Sequence, residues 1–491
     1  MRIAFADFTP RKYKVESVYQ IPIGGALSAL CYLAEALVNL GHEVFLLNNI
    51  SSPEMSCGVM CLPFKTVSDK LLESLDVFIM TLGAGQGRNI KPLLGKHTRL
   101  ILWTQHAHDQ PAIQDLRNSE ERNIYDSLAL VSNWQKNCFS EEFNIDLTRI
   151  FVLRNAIAPC FSGLFPDNTP ILPHKSQPPV LAYTSTPFRG LDILLDIFPK
   201  IRTAVPGTKL KVFSSMKVYK IDSNEDEYSL LYLRCQETEG VEYIGSIPQH
   251  ELAQQLKSVT VLAYPNSFAE TSCIAVMEAM ASGCWVVTSE LGALPETTAG
   301  FARLIPINND WETYKNLFIQ ETIKVLQTST REAENHLRKQ VDYVNKHYNW
   351  SVRAEELVEL INSWSSQLPF NLKTINLIIF PDWNQPEETL NLALSKVIHF
   401  ILTHPDNSKI TLIIEASEIA EEDANLVLSA VVMNLLMAED LDIEEEPEII
   451  LVRNLNSQQW SALLPQIQYR IVLEQENQMV ENAAKLPIIT I

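Results

Sequence analysis

Two glutamates eight positions apart, Glu270 and Glu278, hold the densest chemistry in this chain of 491 residues. Between them stand Thr271 and Ser272, and after them the small run Ala279 to Gly283. Ionised carboxylates accept hydrogen bonds from hydroxyls, so the pair suits a polyhydroxylated ligand. At about 100° per residue, eight positions leave two side chains roughly 80° apart around a helix, so both can border one cleft. Thr271 and Ser272 are good N-cap types, and a helix starting there would turn free backbone N–H groups toward an anion such as a diphosphate.

The elements that must carry this pair are legible around it. Val259 to Tyr264 is a short apolar run closed by Pro265, which predicts a buried parallel strand. Ile274, Met277 and Ala281, with Val276 and Met280, form an apolar face at helical spacing that stops near Gly283. Cys284 to Thr288 predicts a second strand. In a parallel α/β sheet, the end of a strand and the start of the next helix face one crevice.

Glu270 and Glu278 in this spacing, followed by EAMASG, VVTS and Glu296, closely resemble the signature of the glycosyl transferases group 1 family. The resemblance implies a GT-B fold: two Rossmann-like α/β domains facing a cleft, acting on nucleotide-diphosphate sugars with retention of configuration. It also implies that Glu270 approaches the transferred sugar and Glu278 grips the nucleotide ribose. The diphosphate would lie at the helix start formed by Thr271, Ser272, Cys273 and Ile274.

Other segments fit that frame. Arg2 to Phe8 predicts a first strand, and Gly24-Gly25 opens a helical pattern through Ala36. A glycine pair lets backbone come close to a ligand, and the resemblance sets it beside the sugar and phosphates. Leu75 to Thr81 and Leu100 to Thr104 predict strands; the second runs into Gln105, His106, Ala107, His108 and Asp109. His106 is the candidate to donate to a sugar hydroxyl, with His108 and Asp109 as competitors. The segments Val131-Ser132-Asn133 with Trp134, and Leu153 to Ile157, resemble family landmarks of the first domain and speak for fold more than chemistry.

After Val180 to Tyr183, the loop Thr184 to Gly190 leads into a helix through Phe198. Most family members carry an Arg and a Lys there to neutralise the diphosphate. Here Arg189 stands at the Lys-like position, while Thr184 or Ser185 occupies the other. Lys217, at the end of the strand Leu210 to Phe213, is the candidate replacement; the competing reading makes Lys217 and Lys220 a solvated pair. No metal or other cofactor is expected, the donor being a UDP- or GDP-linked sugar.

Composition sets the outer bounds. With 46% hydrophobic and 20% charged residues the chain reads as globular, with two to four domains. A net charge of -20 argues against a nucleic-acid partner. No long uncharged apolar run and no signal-peptide pattern at the start leave the cytoplasm as the expected location. The eight cysteines are expected to be reduced and mostly buried, since Cys57 and Cys61 have no second pair for zinc. Five prolines from Pro166 to Pro179 mark an interdomain linker.

The expected organisation is thus an N-terminal acceptor domain over 1–170, with helix 351–366 packing back on it; a donor-binding domain over 171–350; and an acidic module over 371–491. That last stretch holds 19 acidic and 6 basic residues, and four predicted strands alternate with three helices. Its Glu444 to Glu446 run reads as a solvated loop. The module is expected to be an accessory or protein-docking element. The function expected from the whole is retaining glycosyl transfer to a glycan, lipid-linked or protein acceptor. The alternative is a catalytically weakened nucleotide-binding or scaffold protein of the same fold. A paired-carboxylate glycoside hydrolase ranks below both, since the EAMASG context has no place in it.

Overall fold

The apolar runs of the first 150 residues pair into one eight-stranded sheet in a computed structural model of the chain. The strands are β1 Arg2–Ala6, β2 Glu43–Asn48, β3 Glu54–Ser56, β4 Val59–Pro63, β5 Val77–Thr81, β6 Arg99–Thr104, β7 Ser127–Leu130 and β8 Ile150–Val152. Their order is β3-β4-β2-β1-β5-β6-β7-β8, all parallel except the β3–β4 pair. β1, β5, β6 and β7 are almost wholly buried, as continuous Ile, Leu, Val and Phe runs require when helices cover both faces. Residues 1–166, 169–219, 226–307, 310–365, 368, 370–439, 446–455, 457–477 and 483–491 are described. Lys220, Glu444 and Glu445 lie outside them.

A second parallel sheet follows, built from β9 Val180–Tyr183, β10 Lys209–Val212, β11 Val241–Tyr243, β12 Val261–Tyr264, β13 Trp285–Glu290 and β14 Arg303–Pro306. Its order is β11-β10-β9-β12-β13-β14. Both sheets reverse direction of travel once, between β1 and β5 in the first and between β9 and β12 in the second. Such a reversal parts the connecting loops and opens a crevice at the carboxyl ends of the strands. The fold therefore dictates that ligand groups come from the loops after β1, β5, β6, β9 and β12.

Both sheets belong to one unit, Met1–Leu357. Residues from its end pack against the first sheet's lobe. The Ile157 N–H donates to the Tyr348 carbonyl at 3.2 Å, and the rings of Trp350 and Tyr32 lie 6.4 Å apart. Trp350 opens the helix Trp350–Ser365.

The second unit is Val358–Ile491. It is a five-stranded parallel sheet, β15 Ile375–Ile379, β16 Ile410–Glu415, β17 Glu448–Val452, β18 Tyr469–Ile471 and β19 Ile488–Ile489, in the order β17-β16-β15-β18-β19. Leu377, Leu394, Ile398 and Ile414 belong to its apolar core on one face, and Ile378, Phe380, Ile413 and Leu463 to the other. Among the described residues no helix is long and apolar enough to cross a membrane.

Candidate active site

The loops at the two reversal points face each other across a cleft of about 710 Å³. That is room for a nucleotide-sized ligand. The first lobe contributes Thr9, Arg11, Gly24, Gly25 and His106; the second contributes Thr184, Arg189, Glu270, Cys273 and Glu278, with Thr271, Ser272 and Ile274 between the glutamates. Ten of the eleven sequence-derived site residues thus meet at one place. The eleventh, Lys217, is exposed on the short turn Met216–Tyr219 and is not part of the lining, although its neighbours Ser215 and Val218 are.

Glu270 is 5% exposed and sits at the heart of the second-lobe wall. Its Oε1 accepts from Arg189 Nη1 at 2.8 Å and from the Tyr264 hydroxyl at 2.6 Å. The Arg189 guanidinium lies over the rings of Phe268 and Phe188, at 4.6 and 5.4 Å. Arg189 is held there by Gly190, whose left-handed φ of +103° ends the preceding turn, and a Cβ at Gly190 would overlap the Pro265 carbonyl oxygen. The β9 and β12 loops are thereby pressed together, which is why a cation from one meets a carboxylate from the other.

Glu270 does not belong to the helix. The helix runs Ile274–Ala281, and its N-cap is Cys273, which makes no side-chain cap bond. This corrects the expectation that Thr271 or Ser272 caps it and removes the angular argument for the pair. The helix starts only after Cys273, whose own backbone is extended, while the Thr271 hydroxyl is spent on the first lobe, donating to the Gln105 carbonyl at 2.7 Å. Glu270 and Glu278 share a cleft because the loop returns along it.

Glu278 is 4% exposed and lies about one turn inside the helix Ile274–Ala281. It accepts from Gln249 Nε2 at 2.8 Å and from the Ala158 N–H at 3.3 Å. Gln249 in turn accepts from the Tyr32 hydroxyl at 2.6 Å. Burial pushes the Glu278 carboxyl up to about 8, against the opposite pull of those two donors. Among the described residues no cation pairs with it, so the group is set to accept from neutral donors such as hydroxyls.

His106 lines the cleft, whereas His108 and Asp109 do not. Its Nδ1 lies 2.7 Å from the Leu82 carbonyl, which can only accept, so Nδ1 carries the proton. Burial lowers its pKa, with a smaller downward contribution from Arg11, and leaves the ring neutral near pH 7. Nε2 then presents a lone pair toward the cleft, an arrangement suited to accepting from a hydroxyl, whereas the donor role expected from sequence would need the other tautomer or a charged ring. Gly24 caps the helix Gly25–Asn39 with φ of -63°, so neither a turn nor a left-handed backbone calls for glycine there. A Cβ at Gly25 would come to 3.4 Å of the Ile274 side chain, and lining space is what the residue preserves.

Three functional neighbours escaped the sequence reading. Arg11 lines the cleft from the first lobe, and with Arg189 it supplies the lining's Lys and Arg content among the described residues. Its position just past β1 is a signal, since the carboxyl end of a strand beside a reversal point faces ligand. Tyr32 and Gln249 hold Glu278 across 217 positions of sequence, and nothing local announces such a contact.

Residues 178–318 match the sequence profile of the family described as Glycosyl transferases group 1. The match spans β9 to β14 and both glutamates. The chain carries a glycosyl transferases group 1 domain. Solved structures extend the fold likeness of this transferase domain to the lobe before it. A glycosyltransferase from Rickettsia africae superposes with a TM-score of 0.57 at 12% identity, covering 74% of this chain and 98% of its own. Sucrose-phosphate synthase from Thermosynechococcus elongatus gives 0.55 at 16%, with the same coverages. Anabaena HepE, solved in complex with UDP-glucose, gives 0.53 at 12%, covering 74% of this chain and all of its own. The two lobes around the cleft are a GT-B fold. No protein of curated function matches the chain by sequence.

Proposed function

We propose that the chain is a retaining, metal-independent glycosyltransferase that moves a sugar from a UDP- or GDP-linked donor to a hydroxyl of a glycan, lipid-linked or protein acceptor. The observation that carries this reading is the placement of two buried carboxylates, Glu270 and Glu278, on one wall of the interlobe cleft within the matched domain.

The donor's ribose diol is taken by Glu278, an acceptor without a competing cation. The diphosphate lies along the start of helix Ile274–Ala281, where backbone N–H groups and the helix dipole favour negative charge. Arg189 and, from the opposite lobe, Arg11 supply positive charge that a bound Mg²⁺ would otherwise provide. Glu270 orients Arg189 and accepts from the sugar. His106 Nε2 accepts from a hydroxyl on the facing side. The sugar–phosphate bond breaks, the leaving diphosphate takes the proton of the attacking acceptor hydroxyl on the same face, and the new glycosidic bond keeps the anomeric configuration. Cleft walls exclude water that would hydrolyse the donor. Eight free thiols suit a cytoplasmic setting.

The test is incubation with labelled UDP- and GDP-sugars, with and without EDTA. Release of nucleoside diphosphate, unaffected by EDTA, is expected. Nucleotide binding without any turnover would favour the binding or scaffold reading, to which the Arg189–Glu270 ion pair lends support, since each group already neutralises the other.

A further inference from the structure

Glu296 belongs to the second lobe, yet its carboxylate is satisfied by the first. Oε2 accepts from the Asn133 N–H at 2.8 Å and the Trp134 N–H at 3.3 Å. Oε1 accepts from Asn133 Nδ2 at 3.0 Å and from Arg154 Nη2 at 2.9 Å. Asn133 and Trp134 open the helix Asn133–Phe143, whose own N-cap, Ser132, spends its hydroxyl on the Gln135 N–H. Two first-turn N–H groups are thus left over, and a carboxylate from the other lobe takes them. The helix dipole favours an anion there.

Both ends of this contact lead directly to reacting groups. One residue past Trp134, the wholly buried Gln135 donates through Nε2 to the His106 carbonyl at 2.7 Å and the Thr104 carbonyl at 3.2 Å. Three residues before Glu296, the Ala293 N–H donates to the Glu270 carbonyl at 2.7 Å, and Gly292 lies so close that a Cβ would overlap the Glu270 backbone. His106 and Glu270 therefore hang from opposite sides of one clasp.

We infer that Glu296 is a positioning residue: by capping the first-lobe helix it fixes the separation of His106 and Glu270 across the cleft, and so sets turnover rather than nucleotide affinity. The inference rests on the transferase reading above. It also gives work to Asn133, Trp134 and Arg154, which lie in segments otherwise read as marks of the fold. Nucleotide affinity is held elsewhere, by Glu278 with Gln249 and Tyr32, and the clasp touches none of these.

The test compares Glu296→Ala, Glu296→Gln and Arg154→Met in the full chain. Glu296→Ala is expected to lower kcat by about 10- to 100-fold, the scale of misplaced catalytic groups, with the Kd for UDP or GDP within about threefold of wild type. Glu296→Gln keeps an oxygen for the backbone N–H groups and recovers most of the loss; Arg154→Met, removing one of four bonds, gives a smaller fall. Hydrogen exchange at the Asn133 and Trp134 amides rises in Glu296→Ala. Unchanged kcat, unchanged exchange, or losses of kcat, affinity and thermal stability in step would each overturn the inference. If the wild type transfers no sugar, the transferase reading fails on that ground, and the exchange measurement alone decides whether the clasp exists.

Discussion

With Glu278 taking the ribose as proposed, its burial makes its proton part of ligand binding. A ribose diol donates two O–H groups and so selects the ionised carboxylate, whose formation costs about 1.4 kcal/mol for each pH unit below its pKa. With that pKa near 8, nucleotide affinity should rise about fivefold from pH 7 to pH 8 and level off above it. Calorimetric titration of UDP or GDP across this range measures the slope, and Glu278→Gln should abolish it along with most of the affinity. Stability runs in the opposite sense. The folded-state pKa lies above the ordinary value of 4.5, so the folded chain holds a proton the unfolded chain has lost, and stability falls as pH rises between the two. Glu278→Gln should therefore raise Tm at pH 8 by a few degrees and change it by less than about 1 °C at pH 5. At Glu270 the expectation differs: Glu270→Ala should cut kcat by at least about 100-fold while leaving nucleotide Kd within a few fold, because in the proposed arrangement it serves the sugar and Arg189 rather than the ribose.

At the scale of elements, strand ends were readable to within a residue or two where apolar β-branched runs met Pro or Gly, as at β2, β9 and β17. The short hairpin of β3 and β4 was not, since Glu54 to Pro63 mixes polar and sulfur-bearing residues without period. Helix Leu191–Ala204 runs through Pro199, where the sequence reading stops at Phe198; Leu191, Leu194, Leu195 and Phe198 bury one face firmly enough to outweigh the missing N–H bond. The cap at Cys273 was illegible for the same kind of reason, because the Thr271 hydroxyl bonds a carbonyl from another lobe. Glycines at the site separate two demands. Gly190→Ala should strain the left-handed turn and drive the β9 and β12 loops apart, lowering stability by about 2 kcal/mol or more and disabling turnover. Gly25→Ala, in ordinary backbone geometry, should unfold within about 0.5 kcal/mol of wild type and raise the donor KM instead. Chemical denaturation and steady-state kinetics on the two variants distinguish these outcomes.

Across the whole molecule, the cleft lies within Met1–Leu357, and the acidic second unit has its own sheet with apolar packing on both faces. Residues 371–491 expressed alone should unfold cooperatively, a prediction that circular dichroism in denaturant checks directly. We propose a docking role for this unit, suited by exposed Leu426, Met433 and Met437 along one side of the helix Glu421–Glu439. Its deletion should then leave nucleotide affinity intact and alter acceptor range or association state. Calorimetric titration of the full chain with UDP and GDP tests the role proposed for the cleft most directly. Saturable one-to-one binding of at least one nucleotide to the wild type, lost in Glu278→Ala, is the predicted result. Failure of the wild type to bind either nucleotide, or binding that survives Glu278→Ala unchanged, would contradict it.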